Sequence, residues 1–299
     1  MAAQRRVLVW LRATRPFSLA ASVVPVLVGT ALAADLAFDP ALFALALLGA
    51  IVIQIGTNLA NEYFDYMQGL DSDTSLGPVG VILQGLLSPR AVLAATLGAF
   101  AIGAGMGLAI VWVVGWPILV IGVASLLAAY FYAAKPLALG YRGLGEVEVF
   151  VFMGPLMVVA AYYVQGRQWD WAPLWVSLSI GFLVTAILHA NHTRDIDDDR
   201  GKGRVTHAIL LGRRRASHEF LLLVSAGYLA LVGVAAVGLV SPLALLAVLS
   251  LPKAAGLVRL VYIEMNPRAL NALVRGTAQL HGQFGLLLAL GLALVGWLD

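Results

Sequence analysis

The stretch ALFALALLGAIVIQIGTNLANEYF, residues 41–64, contains no Lys, Arg or Asp and a single Glu near its end. As an α-helix it would be about 36 Å long, enough to cross a hydrocarbon core of about 30 Å. It therefore predicts a membrane-spanning helix. An acidic run follows it, so candidate catalytic side chains lie at the end of this helix.

Stretches of similar length and apolarity recur along the whole chain, and hydropathy predicts nine of them. They lie near residues 17–35, 41–64, 91–113, 116–134, 147–164, 171–190, 217–238, 241–261 and 277–298. None stands apart as a separate domain. The chain is therefore expected to be one all-α membrane domain, residues 1–299, built as a single bundle of about nine transmembrane helices. The first stretch lacks a small-residue cleavage site, so no signal peptide is expected.

The composition supports a membrane protein. Of the 299 residues, 61% are apolar and 12% are charged, and the mean hydropathy is +0.90. A soluble globular surface does not have this balance. The absence of cysteine excludes disulfides, thiolate metal sites and covalent sulfur chemistry. No nucleic-acid partner is expected.

Basic residues concentrate on one side of the predicted topology. Nearly all Lys and Arg precede the first span or lie in or next to the second, fourth, sixth or eighth connection. Connections rich in Lys and Arg face the cytoplasm. We therefore expect a multi-pass protein of the plasma (inner) membrane, with its N-terminus inside, its C-terminus outside and its polar chemistry on the cytoplasmic side.

Most acidic residues on that side fall into two clusters, although the positive-inside rule does not require carboxylates there. The first cluster lies in NEYFDYMQGLDSD, residues 61–73. Asn61 and Asp65 are four residues apart and share a helix face, and Gly69 permits a turn that brings Asp71 back towards them. Oxygen ligands without a nearby His or Cys suit a hard cation such as Mg²⁺.

The second cluster lies in NHTRDIDDDRGKGR, residues 191–204. Asn191, Asp195 and Asp199 repeat the four-residue spacing, and the remaining aspartates of the run are expected in solvent. Two such helix ends facing each other predict two Mg²⁺ ions that bridge a diphosphate. The expected metal ligands are Asn61, Asp65, Asp71, Asn191, Asp195 and Asp199.

Basic side chains near the acidic clusters would complete a diphosphate site, because Arg binds phosphate oxygens bidentately and Lys binds them as a point charge. The residues available are Arg15, Lys135, Arg142, Arg194, Lys202 and Arg204. Anchoring a span at the lipid headgroups explains any one of them equally well. We expect Lys135, Arg142 and Arg204 to act on the diphosphate, and Arg15 and Lys202 to help bind substrate.

With both motifs in view, the sequence resembles the UbiA superfamily of intramembrane aromatic prenyltransferases, which carries two Asp-rich motifs on helical spans. The resemblance covers nearly the whole chain and is strongest to the branch that acts on 1,4-dihydroxy-2-naphthoate. It rests on WLRATRPFSLAASVVPVLVGTALA (10–33), NEYFDYMQGLD (61–71), KPLALGYRGLGEVEVFVFMGPLMVVAAYYVQG (135–166) and NHTRDIDDDRGKGRVTHAILLG (191–212).

The chain departs from that branch at a few positions. Glu62, Glu146 and Arg204 keep the expected charge where Asp, Asp and Lys are common. Gly80 loses a charge, because it stands where the branch is expected to have Arg. This loss bears on how substrate is handled.

The resemblance implies an enzyme that transfers a polyprenyl group from polyprenyl diphosphate to 1,4-dihydroxy-2-naphthoate with decarboxylation, giving demethylmenaquinol in menaquinone biosynthesis. It implies Mg²⁺ as cofactor and Asp65, Asp71, Asp195 and Asp199 as catalytic residues. Departure of the diphosphate leaves an allylic carbocation, so water must be excluded. Membrane lipid is an expected partner, because an apolar prenyl tail would enter from the bilayer. The aromatic residues expected to line the pocket are Tyr130, Tyr132, Phe150 and Tyr162.

The sequence is also compatible with other functions. Within the superfamily, the acceptor could be a hydroxybenzoate, homogentisate, haem or a lipid headgroup, or the protein could be a terpene cyclase that quenches the cation within its own chain. A secondary transporter would place its polar site near the midplane, whereas these residues lie at helix ends. His189, His192 and His207 flank the second cluster without zinc-site spacing, so packing or solvent-facing roles are expected for them.

Overall fold

The computed structural model describes residues 2–71, 76 and 80–294, with side chains from residue 6 onward. This part of the chain is helical, and its one extended pairing is a parallel bridge between Arg142 and Val205. The expected all-α class is confirmed. The helices are α1 (Ala2–Ala13), α2 (Ala20–Leu32), α3 (Pro40–Met67), α4 (Pro89–Val114), α5 (Trp116–Phe131), α6 (Gly145–Val151), α7 (Met157–Gly166), α8 (Trp171–Arg194), α9 (Ile196–Gly201), α10 (His207–Leu211), α11 (Arg213–Ala236), α12 (Leu251–Ile263) and α13 (Asn271–Ala293).

Six segments in the described part of the chain are long and apolar enough to cross a membrane. A bent pair, Arg6–Ser18 and Ala20–Leu32 with 51° between its halves, adds a seventh if it counts as one span. The protein is therefore a multi-pass integral membrane protein. The six segments are Pro40–Met67, Pro89–Val114, Gly145–Gly166, Trp171–Arg194, Arg213–Ala236 and Pro242–Ile263.

The expected count of nine spans is not confirmed. Helices also form in the three remaining predicted segments, but α2 has 13 residues and α5 has 16, fewer than the roughly 20 that a span needs. The third, α13, is long enough at 23 residues. Its first half carries Arg275, Gln279 and His281, which lower its hydropathy.

The helix predicted from the opening stretch is α3, and local sequence fixes both of its ends. Asp39 caps the start, because its Oδ1 accepts the backbone amides of Ala41 (2.8 Å) and Leu42 (3.1 Å). Gly69 ends it in the left-handed region with φ 68°, and the next backbone amide donates to the Asp65 carbonyl (2.8 Å). The first acidic cluster therefore lies on the final turns of α3 and on the turn that follows.

Helices α6 and α7 form one span that is interrupted by a π-helical turn, Phe152–Leu156. Pro155 lies in this turn and has no amide to donate, which accounts for the local change in hydrogen bonding. The turn also allows a close approach to α8, since a Cβ on Gly154 would lie 2.6 Å from the Gly181 Cα.

Helix α8 is the most enclosed of the candidate spans. In its most apolar 18-residue stretch 61% of the residues are buried, against 11% in the corresponding stretch of α4. α8 packs against α6, α11 and α13. Ile180 and Leu183 of α8 and Phe220 and Phe284 of its neighbours are fully buried in the main core. This packing fixes the end of α8, which carries the second acidic cluster.

We predict that Gly154→Ala lowers the thermal unfolding temperature in detergent. The added methyl group would overlap the α8 backbone, and overpacking of this kind costs about 1–3 kcal/mol. Gly105→Ala in α4 is the matched control, because a Cβ there meets nothing within 4 Å. Equal unfolding temperatures for the two variants would contradict a backbone contact between the α6–α7 span and α8.

Candidate active site

Both acidic clusters line a single cavity of about 670 Å³. The first cluster reaches it from the end of α3 and the turn that follows, and the second reaches it from the end of α8 and from α9. The sequence expectation that the two motifs face each other therefore holds in the structure. The cavity-lining residues include all six expected metal ligands, Asn61, Asp65, Asp71, Asn191, Asp195 and Asp199.

Arg204 joins the two clusters directly. Its Nη2 lies 2.9 Å from Asp65 Oδ1, and its Nη1 lies 3.1 Å from Asp199 Oδ1. Burial raises the pKa of Asp199, and Arg204 opposes that shift. Arg204 Nε is buried and has no hydrogen-bond partner among the described residues, so this guanidinium retains a donor for a ligand.

Tyr141 contacts both partners of the Arg204–Asp65 ion pair. Its hydroxyl donates to Asp65 Oδ1, and the Arg204 guanidinium lies 4.4 Å from the centroid of its ring. Burial and the charge of Asp65 raise the pKa of Tyr141, so the hydroxyl remains a donor. Backbone pairing holds the two residues together: the Val205 amide donates to the Tyr141 carbonyl (3.0 Å), and the Gly143 amide donates to the Val205 carbonyl (2.8 Å).

The second cluster keeps its four-residue spacing through a break in the helix. α8 ends at Arg194, but the Asp195 amide still donates to the Asn191 carbonyl (3.0 Å), and the Asp199 amide donates to the Asp195 carbonyl (2.8 Å). The Asp195 carboxylate is held by Arg194 Nε at 2.7 Å. Arg194 also donates to Asn271 Oδ1 at 2.9 Å, which ties the second cluster to the start of α13.

The donor set fits Mg²⁺. Asn61 Oδ1 and Asp71 Oδ2 are buried and have no hydrogen-bond partner in the described part of the chain, and both residues line the cavity. Burial, and then the charges of Asp65 and Glu62, raise the pKa of Asp71 to about 6. No three His, Cys, Asp or Glu side chains among the described residues are grouped to hold a metal ion. Phosphate oxygens and water would therefore have to supply part of the coordination, as is usual for Mg²⁺.

The structure separates the expected cationic residues into two groups. Arg15, Lys202 and Arg204 line the cavity. Lys135 and Arg142 do not, and both are exposed. This corrects the sequence expectation for these two residues. The turn that carries Arg142 pairs with Val205 through the Tyr141 carbonyl and the Gly143 amide, and the side chains of Lys135 and Arg142 are exposed. The Asp198 side chain, which was expected in solvent, pairs with Lys202 at 2.7 Å.

The expected aromatic lining is also corrected. Of the four aromatic residues expected there, Tyr132 lines the cavity, and Tyr130, Phe150 and Tyr162 do not. The Phe150 ring packs against Phe182 with centroids 4.9 Å apart, and Tyr130 packs edge-on against Phe64 at 5.6 Å. Tyr162 is buried. Their rings fill space between helices, which periodicity alone does not distinguish from a cavity wall.

A network that the sequence did not predict lies behind the second cluster. His192 Nδ1 lies 2.7 Å from Glu146 Oε1, and His189 Nδ1 lies 3.6 Å from both Glu146 Oε1 and Glu219 Oε2. His207 Nδ1 lies 3.0 Å from Glu219 Oε1. These contacts tie α6, α8 and α11 together. The three-residue spacing of His189 and His192 on α8 was the available signal.

Away from the acidic end, one wall of the cavity stays polar along α3. Gln54 Oε1 accepts the Ser22 hydroxyl at 3.0 Å, and Asn58 Nδ2 donates to the Ser18 hydroxyl at 2.9 Å. Most of the remaining lining is apolar and comes from α3, α4, α5 and the α6–α7 span, including Ile53, Leu108, Ile118, Leu126, Phe152 and Met157. The cavity therefore joins a charged end to an apolar volume, as a molecule with a charged head and an apolar tail requires.

Comparison with known proteins shows to which family the chain belongs. The sequence pattern of the UbiA prenyltransferase family matches residues 22–281, most of the chain. The chain belongs to the UbiA prenyltransferase family. This UbiA-family protein is therefore an enzyme that transfers prenyl groups.

A relative and two solved structures extend the comparison. The chain is 34% identical over 280 residues to the 1,4-dihydroxy-2-naphthoate octaprenyltransferase of Bacillus subtilis, covering 93% of this chain and 90% of the relative. A UbiA homolog from Aeropyrum pernix has the same fold, with a TM-score of 0.71 at 16% identity over 93% of this chain and 97% of the homolog. A UbiA homolog from Archaeoglobus fulgidus, bound to DMAPP and Mg²⁺, gives 0.65 at 15% identity, covering 93% and 98%.

Gly80 lies against the first cluster of this UbiA-family chain. A Cβ at this position would sit 2.7 Å from Asp71 Oδ2 and 2.8 Å from Glu62 Oε1. Glu62 Oε1 also accepts the Ile82 amide at 3.0 Å. The bare backbone at Gly80 therefore leaves room for both carboxylates, and an Arg side chain in its place would have to displace them.

We predict that Gly80→Ala raises the Mg²⁺ concentration needed for half-maximal binding of a prenyl diphosphate. The methyl group would push Asp71 aside, and disturbing a metal ligand's surroundings costs on the order of 10-fold in metal affinity. Gly98→Ala serves as control, since a Cβ there meets nothing within 4 Å. An unchanged Mg²⁺ requirement in Gly80→Ala would argue against Asp71 as a ligand.

Proposed function

We propose that the protein transfers a polyprenyl group from a polyprenyl diphosphate to 1,4-dihydroxy-2-naphthoate with loss of the carboxyl group, giving demethylmenaquinol for menaquinone biosynthesis. The observation that carries the proposal is the cavity, where two acidic clusters joined by Arg204 open into an apolar volume. The name of the Bacillus subtilis relative supports the choice of acceptor.

The charged end of the cavity binds the diphosphate. Mg²⁺ bound there would neutralise the diphosphate and stabilise the charge that develops on it as it leaves. The oxygens proposed to hold one or two ions are those of Asn61, Asp65, Asp71, Asn191, Asp195 and Asp199. The Archaeoglobus fulgidus homolog, which binds Mg²⁺ and DMAPP, supports the choice of metal.

The basic residues in the cavity wall then act on the phosphate oxygens. Arg204 Nε is a buried donor without a partner among the described residues, and Arg15 and Lys202 face the same volume. Negative charge accumulates on the bridging oxygen as the bond to the prenyl carbon breaks, so fixed cations there lower the barrier. Tyr141 keeps Arg204 in place through its ring and its hydroxyl.

The apolar part of the cavity holds the prenyl chain and keeps water from the allylic cation. A naphthoate ring carbon is the nucleophile, and the polar strip formed by Ser22, Gln54 and Asn58 offers hydrogen bonds to ring substituents. Tyr132 can place its ring face against the cation. Donor chains of different length would reach different depths of the cavity.

The membrane orientation belongs to the same proposal. The basic connections support an orientation with the N-terminus and the charged end of the cavity at the cytoplasmic face of the plasma membrane. Soluble diphosphate product then leaves into the cytoplasm, while the prenylated quinol remains in the bilayer. Lipid serves both as solvent for the protein and as reservoir for donor and product.

We predict that the purified protein, incubated with Mg²⁺, geranylgeranyl diphosphate and 1,4-dihydroxy-2-naphthoate, yields a decarboxylated, prenylated naphthoquinol detectable by mass analysis. Excess chelator should abolish the product, because the acidic clusters require a divalent ion to bind a diphosphate. Asp195→Ala should abolish it as well.

The same assay without acceptor is the control. A cyclised hydrocarbon or alcohol formed there would move the protein to the terpene cyclases, and full activity in chelator would contradict the metal role. If the donor is consumed only when another aromatic compound is supplied, the naphthoate assignment is wrong.

A further inference from the structure

Glu148 is a cavity residue that the proposed diphosphate site does not use. It lies in the first two turns of α6 and lines the same cavity as the acidic clusters. Its Oε2 atom is buried and has no hydrogen-bond partner in the described part of the chain. Glu146, two residues earlier, is instead bonded to His192 at 2.7 Å and does not line the cavity.

The other carboxylates in the cavity wall differ from Glu148 because each lies near a cation. Arg15 and Lys202 act electrostatically on Asp71. Glu148 has no ion pair or side-chain hydrogen bond among the described residues. The ion pairs of the remaining wall carboxylates are Asp65 and Asp199 with Arg204, Asp195 with Arg194, and Asp198 with Lys202.

The surroundings of Glu148 are largely apolar. Val149, Phe152 and Leu188 also line the cavity, and Tyr132 lies close enough to interact with Glu148 electrostatically. No charged side chain among the described residues has a resolved electrostatic effect on Glu148. A carboxylate oxygen that is buried without a partner, as Glu148 Oε2 is, costs free energy. That cost is removed when a ligand in the cavity supplies a hydrogen-bond donor. A diphosphate has no such donor and would be repelled, whereas a phenolic ring supplies hydroxyl groups.

We propose that Glu148 is a catalytic base that takes the proton from a ring hydroxyl of the aromatic acceptor. This assignment rests on the proposed function, since it requires a hydroxylated acceptor. As the O–H bond breaks towards Glu148, its electron pair moves into the ring and forms a carbonyl. The neighbouring ring carbon, which carries the carboxylate, bonds to the allylic carbon, and the diphosphate leaves with the electron pair of the C–O bond.

The same proton then completes the reaction. The intermediate carries a carbonyl next to the carbon that bears both the prenyl group and the carboxylate, so it is a β-keto acid. When CO₂ leaves, the electron pair of the broken C–C bond restores the aromatic ring and places charge on the ring oxygen. Glu148 returns the proton to that oxygen, which gives the quinol and regenerates the carboxylate. No oxidant or external proton is needed.

The test compares the wild-type protein with Glu148→Gln, which keeps the shape of the side chain and removes the base. The kcat for naphthoate prenylation should fall about 100-fold or more, in the range of general-base effects. Affinity for the prenyl diphosphate in Mg²⁺ should stay within about twofold of wild type, which also shows that the variant is folded. Val147→Ala, a change at an exposed neighbour, is the matched control and should leave kcat unchanged.

A second readout separates a base from a residue that only shapes the pocket. Ring-fluorinated dihydroxynaphthoates have more acidic hydroxyls and depend less on a base, so the deficit of Glu148→Gln should shrink as hydroxyl acidity rises. Glu148→Asp, which keeps a carboxylate one methylene further back, should retain activity between that of wild type and that of Glu148→Gln.

Two results would overturn the assignment while leaving the proposed function intact. One is wild-type kcat in Glu148→Gln, and the other is a deficit that is the same for every acceptor. If the wild-type protein yields no prenylated naphthoquinol at all, the proposed function fails first, and this assignment fails with it.

Discussion

Arg204 lies between carboxylates that two separate parts of the chain contribute. Its guanidinium contacts Asp65 at the end of α3 and Asp199 in α9, which are far apart in sequence. Without a cation between them, these largely buried carboxylates would repel each other, and unpairing such groups costs on the order of 3–5 kcal/mol. The ion pairs therefore hold the two acidic motifs on one cavity, and the remaining Nε–H of Arg204 faces no protein acceptor among the described residues.

Packing of the helices fixes the position of the helix ends that carry the acidic clusters. α8 is enclosed along its length, and the close contact at Gly154 fixes the α6–α7 span beside it. Backbone pairing between Tyr141 and Val205 then places an aromatic ring under the guanidinium of Arg204. The charged chemistry thus stays at one end of the bundle, while apolar side chains further along the cavity provide the dry environment that an allylic cation requires.

Hydropathy predicts the helical class. The four-residue spacing and the turn at Gly69 predict that all six proposed metal ligands lie near each other, and all six line one cavity. They do not predict which loop side chains point inward. In the sequence Lys135 and Arg142 are equivalent to Arg204, but in the structure their side chains are exposed, whereas Arg204 pairs with two carboxylates. Tyr141 was missed for the same reason, since its role depends on a pairing between segments more than 60 residues apart. Hydropathy predicts nine spans, whereas the described residues form six, or seven if the bent pair counts as one. The difference arises because hydropathy measures apolarity and not the length of the helix that forms.

The most direct test of the central claim, that the two motifs form one diphosphate site, is a double-mutant cycle on Mg²⁺-dependent binding of a non-reacting prenyl thiodiphosphate. Binding would be measured by calorimetry for wild type, Asp65→Asn, Asp195→Asn and the double variant. The account predicts that either single change removes most of the affinity, and that the second adds little, because both residues act on the same ligand and its metal ions. Independent, additive losses, or unchanged binding in either single variant, would contradict it.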